Sequence, residues 1–258
     1  MNKQLFIYDN VVPLNREVHK EHSVGKINDM WFAAKVNAIP VMDVEFLQTA
    51  AEMPILFTKV ADGYLCLAML GAEKDKNAFV TDEGKWDGQY VPAFFRRYPF
   101  VFAKTGEDDT LTLCIDEGYS GLNTDGVGER LFDSTGAETS YTQSVIKFTE
   151  EFQTSSVRTQ AFCKRLEELE LLEQSRIDYT LEDGSRGSID GFFRVNAEKM
   201  RALDDADVLA LFRAGHLDLI HMHLMSLQRV QGLISRRNGQ GGAAAPDPQG
   251  ETQKAGDA

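Results

Sequence analysis

Apolar positions in the first half of the chain fall in short runs separated by turn residues. In the second half they recur every three to four residues. The first pattern predicts half-buried strands and the second predicts amphipathic helices. Leu5 to Leu14 is apolar, interrupted by Asp9, Asn10 and Pro13. Ile55 to Val60 and Tyr64 to Leu70 flank Ala61-Asp62-Gly63, and the Asp-Gly pair predicts a tight hairpin. Asn77 to Thr81 and the run from Trp86 flank a second turn, Asp82-Glu83-Gly84. Phe100 to Ala103 and Leu111 to Ile115 flank a third, Gly106 to Asp109. One helix interrupts, Val44 to Met53, with Asp43 as its N-cap, Glu45 in its first turn and Pro54 as its stop. This spacing predicts an antiparallel meander or a small open barrel over roughly 1–135.

From about 138 the period changes. Ser140-Tyr141-Thr142-Gln143 has the capping-box pattern and opens a helix to about Phe152. Ser156 caps a second helix to about Leu172, where Phe162, Leu166, Leu169 and Leu172 share one face. A hairpin follows: Ile177 to Leu181, the turn Glu182-Asp183-Gly184, then Gly187 to Val195. Asn196 caps a short helix, Asp204 to Asp207 begins another that Gly215 closes, and Leu217 to Arg236 forms the last. The fold class is therefore α+β. A mostly antiparallel β lobe, 1–135, and a helix-rich lobe with one hairpin, 138–237, make a single domain over 1–237. Residues 238–258 carry no large apolar side chain, which predicts a disordered tail. Deleting 238–258 is expected to leave the thermal unfolding midpoint unchanged, as read by circular dichroism.

With 258 residues and 43% hydrophobic content, the chain can bury a core without disulfides or metals. The net charge of −13 argues against nucleic acid, whose binding relies on basic surface, and against an anionic membrane. No run of about 18 apolar residues occurs, so no membrane insertion is expected. Cys66, Cys114 and Cys163 lie far apart with no CxxC pair. Together with an N-terminus that lacks an apolar signal core, this points to a reducing, cytoplasmic setting.

Catalytic patterns mostly fail. Walker A, GxGxxG and GxSxG are absent. Ser144 to Lys147 matches SxxK without the companion motifs of that enzyme class. Asp116 to Glu129 resembles a calcium loop in composition only, because the twelfth position from Asp116 is Val127 rather than Glu. His19 and His22 are i, i+3. His221 and His223 are i, i+2 and point apart on a helix, so no metal site is expected and the histidines read as packed or surface residues. No catalytic residue and no cofactor emerges.

The densest chemistry is Gly84 to Phe100, with six aromatics, two prolines and the Arg96-Arg97 pair in an otherwise acidic chain. It admits two readings. One is a strand, a tight turn at Pro92 and aromatic core packing, with both arginines at the rim. The other is a recognition surface of Trp86, Tyr90, Arg96, Arg97 and Tyr98 for an anionic small molecule or a carboxylate-bearing peptide. On a helical turn the two guanidiniums diverge by about 100°. One then faces a core carboxylate such as Asp116 and the other faces solvent.

Several segments in order resemble the SapC-like family of bacterial proteins, named from genes associated with S-layer export. They include Val12-Pro13-Leu14-Asn15 with His19, Asn37-Ala38-Ile39-Pro40 with Glu45-Phe46, and Pro54 to Phe57. Trp86 with Tyr90 to Ala93 and Arg96 to Phe100 form the most specific block. Leu131-Phe132-Asp133 and His223 to Leu227 continue the series. The resemblance implies a soluble accessory protein of envelope, S-layer or secretion processes, and it carries no established catalytic residues. The leading expectation is thus a non-enzymatic binding protein with a protein partner. The alternative is an enzyme or cofactor-binding subunit acting on a small anionic metabolite or peptide. A homo-oligomer built on the helix faces 156–172 and 217–236 is a third option.

Overall fold

The computed structural model describes residues 7–104, 111–180, 184 and 186–236. Leu5 and Phe6, the turn at Gly106 to Asp109, most of the turn at Glu182 to Gly184 and the segment 238–258 lie outside the described residues.

Among the described residues of the first apolar run, β1 (Val11–Pro13) is the strand that pairs. The short α1 (Arg16–His19) follows, with the Asn15 side chain accepting from the Glu17 N–H, and then β2 (Ser23–Val24) and β3 (Ala38–Pro40). Asp43 does not cap the next helix. It opens a 3-10 turn, Asp43–Glu45, that runs into α2 (Phe46–Glu52). Its carboxylate instead accepts from the Arg158 side chain, at 2.7 Å for Nε. The expected hairpin is present as β4 (Ile55–Val60) and β5 (Gly63–Met69), with Gly63 at φ +117°, a conformation that favours glycine. The turn at 82–84 joins no strands; only a bridge between Val80 and Trp86 forms there. After α3 (Ala93–Arg96), β6 (Phe100–Lys104) and β7 (Leu111–Asp116) pair antiparallel as expected. Two-residue strands β8 (Leu122–Asn123) and β9 (Glu129–Arg130) complete this half.

The two helices expected over 140–172 are one. α4 (Ser140–Glu168) runs 29 residues, with Thr139 rather than Ser140 as its N-cap, accepting from the Thr142 N–H. Ser156 is an interior position. Its neighbours explain why the hydroxyls do not break the helix: Thr149 donates to Val145 O and Thr159 to Ser155 O, both at 2.8 Å. Hydroxyls that bond back one turn compete little with the helical ladder. Small buried residues Ser155, Ser156 and Thr159 also let the helix lie close to the sheet beside Phe162 and Leu166, which are fully buried. The helix ends at Glu168, two residues before Glu170, which is left-handed at φ +51°. The hairpin β10 (Leu172–Thr180) and β11 (Arg186–Val195) therefore starts earlier than the apolar pattern suggests. The described residues close with α5 (Ala197–Arg201), α6 (Asp205–Arg213), α7 (His216–Ser226) and α8 (Val230–Arg236). Asn196 and Asp204 cap the first two, and Gly215 is left-handed at φ +71°.

The strands build neither one meander nor a barrel. They make three separate sheets, ordered β1-β7-β6, β10-β11-β4-β5-β3 and β8-β2-β9. The five-stranded sheet takes its β10–β11 hairpin from the second half of the chain and its other strands from the first. That junction is narrow, a single register pair between Phe193 and Phe57. Two residues further along, Val195 and Ile55 face each other across an inserted side chain from α7. His223 accepts from the Val195 N–H at 3.1 Å and donates to Ile55 O at 2.7 Å. Ser226 accepts from the Ile55 N–H at 2.9 Å. Helix α7 thus completes the hydrogen bonds that the sheet itself leaves open. Phe162 of α4 packs edge-on against Phe46 of α2 and tilted against Phe57 of β4, joining both halves in one core.

Candidate functional site

Trp86 to Phe100 does not form a flat surface. Its aromatic rings serve two different layers. Trp86 stacks on Phe79 with centroids 5.3 Å apart, meets Phe95 edge-on, and donates from Nε1 to Tyr90 O at 3.0 Å. Tyr98 is buried and stacks on Phe32 at 4.2 Å. Its hydroxyl bonds to Asp116, and burial followed by that carboxylate raises its pKa. The Tyr98–Pro99 peptide bond is cis.

Two buried carboxylates hold the segment in place. Glu45 is 2% exposed, and its Oε1 accepts from the Tyr90 hydroxyl and the Ala93 N–H, both at 2.6 Å. Its Oε2 accepts from the Met42 N–H at 3.3 Å. Burial, with the Glu45 carboxylate next, pushes the Tyr90 hydroxyl up to about 12. Asp116 accepts from the N–H groups of Asp9, Asn10 and Gly118 at 2.8–3.0 Å.

The arginines diverge as the helical turn requires. Arg97 is 5% exposed, but it does not point at Asp116, which those backbone donors and Tyr98 already satisfy. Its guanidinium lies 4.5 Å from the Phe94 ring centroid, 4.6 Å from Phe152 and 6.0 Å from Tyr8. It also bonds to the Tyr8 hydroxyl, and burial lowers its pKa. Such faces attract a cation through the ring quadrupole. Arg96 is exposed. Its Nε donates to Val91 O at 3.0 Å and a terminal nitrogen donates to the Tyr90 hydroxyl at 3.1 Å. The group lies 5.6 Å from the Tyr90 centroid and 5.2 Å from Phe148. An exposed guanidinium is therefore fixed in direction by one carbonyl, one hydroxyl and two rings.

Arg96 borders a cleft of about 310 Å³ between the 96–100 segment and the first half of α4. Arg97, Tyr98 and Phe100 form one wall, and Tyr141, Ser144, Val145, Phe148 and Thr149 the other. Three of the five sequence candidates, Arg96, Arg97 and Tyr98, thus line one cleft. Trp86 and Tyr90 do not line it; Tyr90 acts through Arg96. Sequence reasoning missed the opposite wall. Tyr141, Val145, Phe148 and Phe152 do repeat at helical spacing, so the wall was visible as a helix face, but not what it faces. Burial pushes the Tyr141 hydroxyl up to about 12.

The family model for SapC matches residues 14–233. The chain belongs to the SapC family. No curated protein and no solved structure matches it. The cleft, Glu45 and His223 of this SapC protein all lie within the matched span. His19 and His22 pack edge-on with ring centroids 5.4 Å apart, and His19 is buried with Nε2 3.4 Å from Glu117 Oε1; His221 is exposed, and His223 sits in the sheet junction. Among the described residues, no group of three His, Cys, Asp or Glu side chains is placed to hold a metal ion. Nor is any described helix long and apolar enough to cross a membrane.

Proposed function

We propose that this SapC protein is a non-enzymatic accessory protein that captures a carboxylate on an aromatic or apolar body, presented by a protein partner, in the Arg96 cleft. The observation that carries this reading is the exposed Arg96 guanidinium, aimed by Tyr90, Val91 and Phe148 at the mouth of a ring-lined cleft. A fixed guanidinium loses little entropy when it binds a carboxylate and offers two parallel donors. The walls of Phe100, Tyr141, Val145 and Phe148 suit an apolar body. The envelope or secretion setting, and a cytoplasmic location, belong to the same proposal; the first rests on the family and the second on the scattered, free cysteines. The rival reading is an enzyme or cofactor-binding subunit for a small anionic metabolite, which calls for a proton-transfer group at the cleft. Burial raises the two tyrosine hydroxyls there, Tyr98 and Tyr141, away from proton transfer near neutral pH, and the rest of the lining is guanidinium, Ser144, Thr149 and hydrocarbon, which supports binding.

The test uses N-acetylphenylalanine and its amide as probes, followed by calorimetry. The carboxylate is expected to bind roughly tenfold or more tightly than the amide, and more weakly as salt rises, because the charged hydrogen bond is worth about 1.5–3 kcal/mol. Arg96→Ala is expected to remove that difference while leaving the unfolding midpoint within a degree or two. Equal affinities for acid and amide, or an unchanged preference in the variant, would sink the reading.

A further inference from the structure

The three cysteines lie far apart in the sequence, yet two of them touch. Cys66 on β5 and Cys163 on α4 are 97 positions apart in sequence, with their sulfurs 3.4 Å apart. Both are buried and free, at 3% and 1% exposure. A disulfide needs about 2.05 Å between sulfurs, so each sulfur has to move by less than about 1 Å, which side-chain rotation supplies. A small cavity of about 20 Å³ touches both thiols. That is slightly more than one water requires. Its walls include Pro40, Met42, Tyr64 and the exposed Gln160, so it lies just beneath the surface. A small oxidant therefore has room beside the pair, and a bulky one does not.

We propose that Cys66 and Cys163 form a modification site, a dithiol that hydrogen peroxide converts to a reversible disulfide joining β5 to α4. In the first step the thiolate of one cysteine attacks a peroxide oxygen. The S–O bond forms, the O–O bond breaks, and the leaving hydroxide takes a proton to become water. In the second step the neighbouring sulfur attacks the sulfenic sulfur. The S–S bond forms, the S–O bond breaks, and a second water leaves. Two thiols are oxidised and one peroxide is reduced. The resolving thiol is already in contact, so the sulfenic acid is captured before it oxidises further. Burial, then the hydrogen bond to Cys163, holds the Cys66 thiol well above its ordinary value, with Asp43 the charged group acting on it. Reaction is accordingly slow, suited to sustained rather than brief exposure, since the thiolate is the nucleophile. Cys114 on β7, with its thiol directed to Thr112 O at 3.5 Å, serves as an internal control. This inference is independent of the Arg96 cleft.

The experiment treats the full chain with hydrogen peroxide, quenches with catalase, alkylates under denaturing conditions and maps the peptides by mass spectrometry. The expected product is lighter by two hydrogen atoms, carries a Cys66–Cys163 cross-link, leaves Cys114 fully alkylated and reverts with dithiothreitol. Cumene hydroperoxide is expected to give the same product at least about tenfold more slowly, because the cavity admits only small molecules. Cys66→Ser is expected to divert Cys163 to a sulfenic acid, which dimedone traps once the quenched protein is unfolded in denaturant. The wild-type cross-link alone decides the case if that variant folds poorly. Sulfinic acid without a cross-link, a bridge to Cys114 or between chains, or both thiols still alkylating after prolonged peroxide would overturn the proposal.

Discussion

Glu45→Ala is expected to destabilise the protein by about 4 kcal/mol, because it leaves two donors on one oxygen, one buried and one half-buried, without an acceptor at roughly 1–3 kcal/mol each, frees the Met42 N–H from the other oxygen and opens a small void. The donors are the Tyr90 hydroxyl and the Ala93 N–H, which share one carboxylate oxygen. The effect is expected to be local before it is global. Glu45 links the start of α2 to the turn that precedes α3, so the Trp86–Phe100 segment loses its anchor first. Hydrogen exchange is then expected to speed up at Ala93 and Tyr90 well before the five-stranded sheet opens. Tyr90→Phe removes only one of the two bonds and is expected to cost about 1–2 kcal/mol. It also releases Arg96 from the hydroxyl that orients it, so carboxylate affinity falls even though Tyr90 does not line the cleft. Urea unfolding of the two single variants and the double variant measures the coupling. A Glu45→Ala loss below 1 kcal/mol would show that the carboxylate does not hold the segment.

Glu45 also shows where local sequence reasoning succeeds and where it stops. Its place at the start of a helical segment was legible, although the turn that holds it is the 3-10 one leading into α2. So were the Asp62-Gly63 hairpin and the helix starts at Asn196 and Asp204. Each depends on neighbours within four residues, where side-chain and backbone chemistry act alone. The acceptor role of Glu45 toward Tyr90 and Ala93 spans more than forty positions, and no local pattern encodes it. The same holds for Cys66 with Cys163, and for the cleft wall of Tyr141 and Phe148 opposite Arg96. Ser156 misled in the other direction. A serine between two apolar-periodic stretches has the signature of a cap. Here it is a small interior residue that brings α4 close to the sheet, a role set by packing rather than propensity. The split of the strands into three sheets was hidden for the same reason, since alternation fixes which face of a strand is buried and not which strand lies beside it. The His223 to Leu227 segment, which helped carry the SapC resemblance, proves to supply the two side chains that close the sheet junction.

Lowering the pH from about 6.5 to 4 is expected to cost this protein about 3 kcal/mol through His223 alone. The imidazole stands between Ile55 and Val195, where two strand backbones would otherwise exchange hydrogen bonds. Its two bonds require one tautomer: Nδ1 carries the proton given to Ile55 O, and Nε2 stays bare to accept from the Val195 N–H. A second proton on Nε2 would face another donor. Burial, opposed by the Ile55 carbonyl and reinforced by Arg194, lowers the pKa from 6.5 to about 4. The unfolded chain therefore binds a proton more readily than the folded one throughout that window. Stability is full above pH 6.5 and falls on acidification, by at most about 1.4 kcal/mol per pH unit, until the folded pKa is passed. His223→Gln separates this from the carboxylates that titrate nearby, because a glutamine amide can donate to Ile55 O and accept from the Val195 N–H without titrating. The variant is expected to fold at pH 7 with a loss of about 1–2 kcal/mol and to lack the His223 share of the acid slope. His223→Ala, which leaves a buried carbonyl and N–H unpaired, is expected to cost about 3–5 kcal/mol at pH 7, and less toward pH 4, where the wild type has already lost the His223 share. Urea titrations of wild type and His223→Gln at half-unit steps from pH 7 to 4 provide the comparison. Identical slopes would mean that His223 is not the group whose protonation opens the junction between β4 and β11.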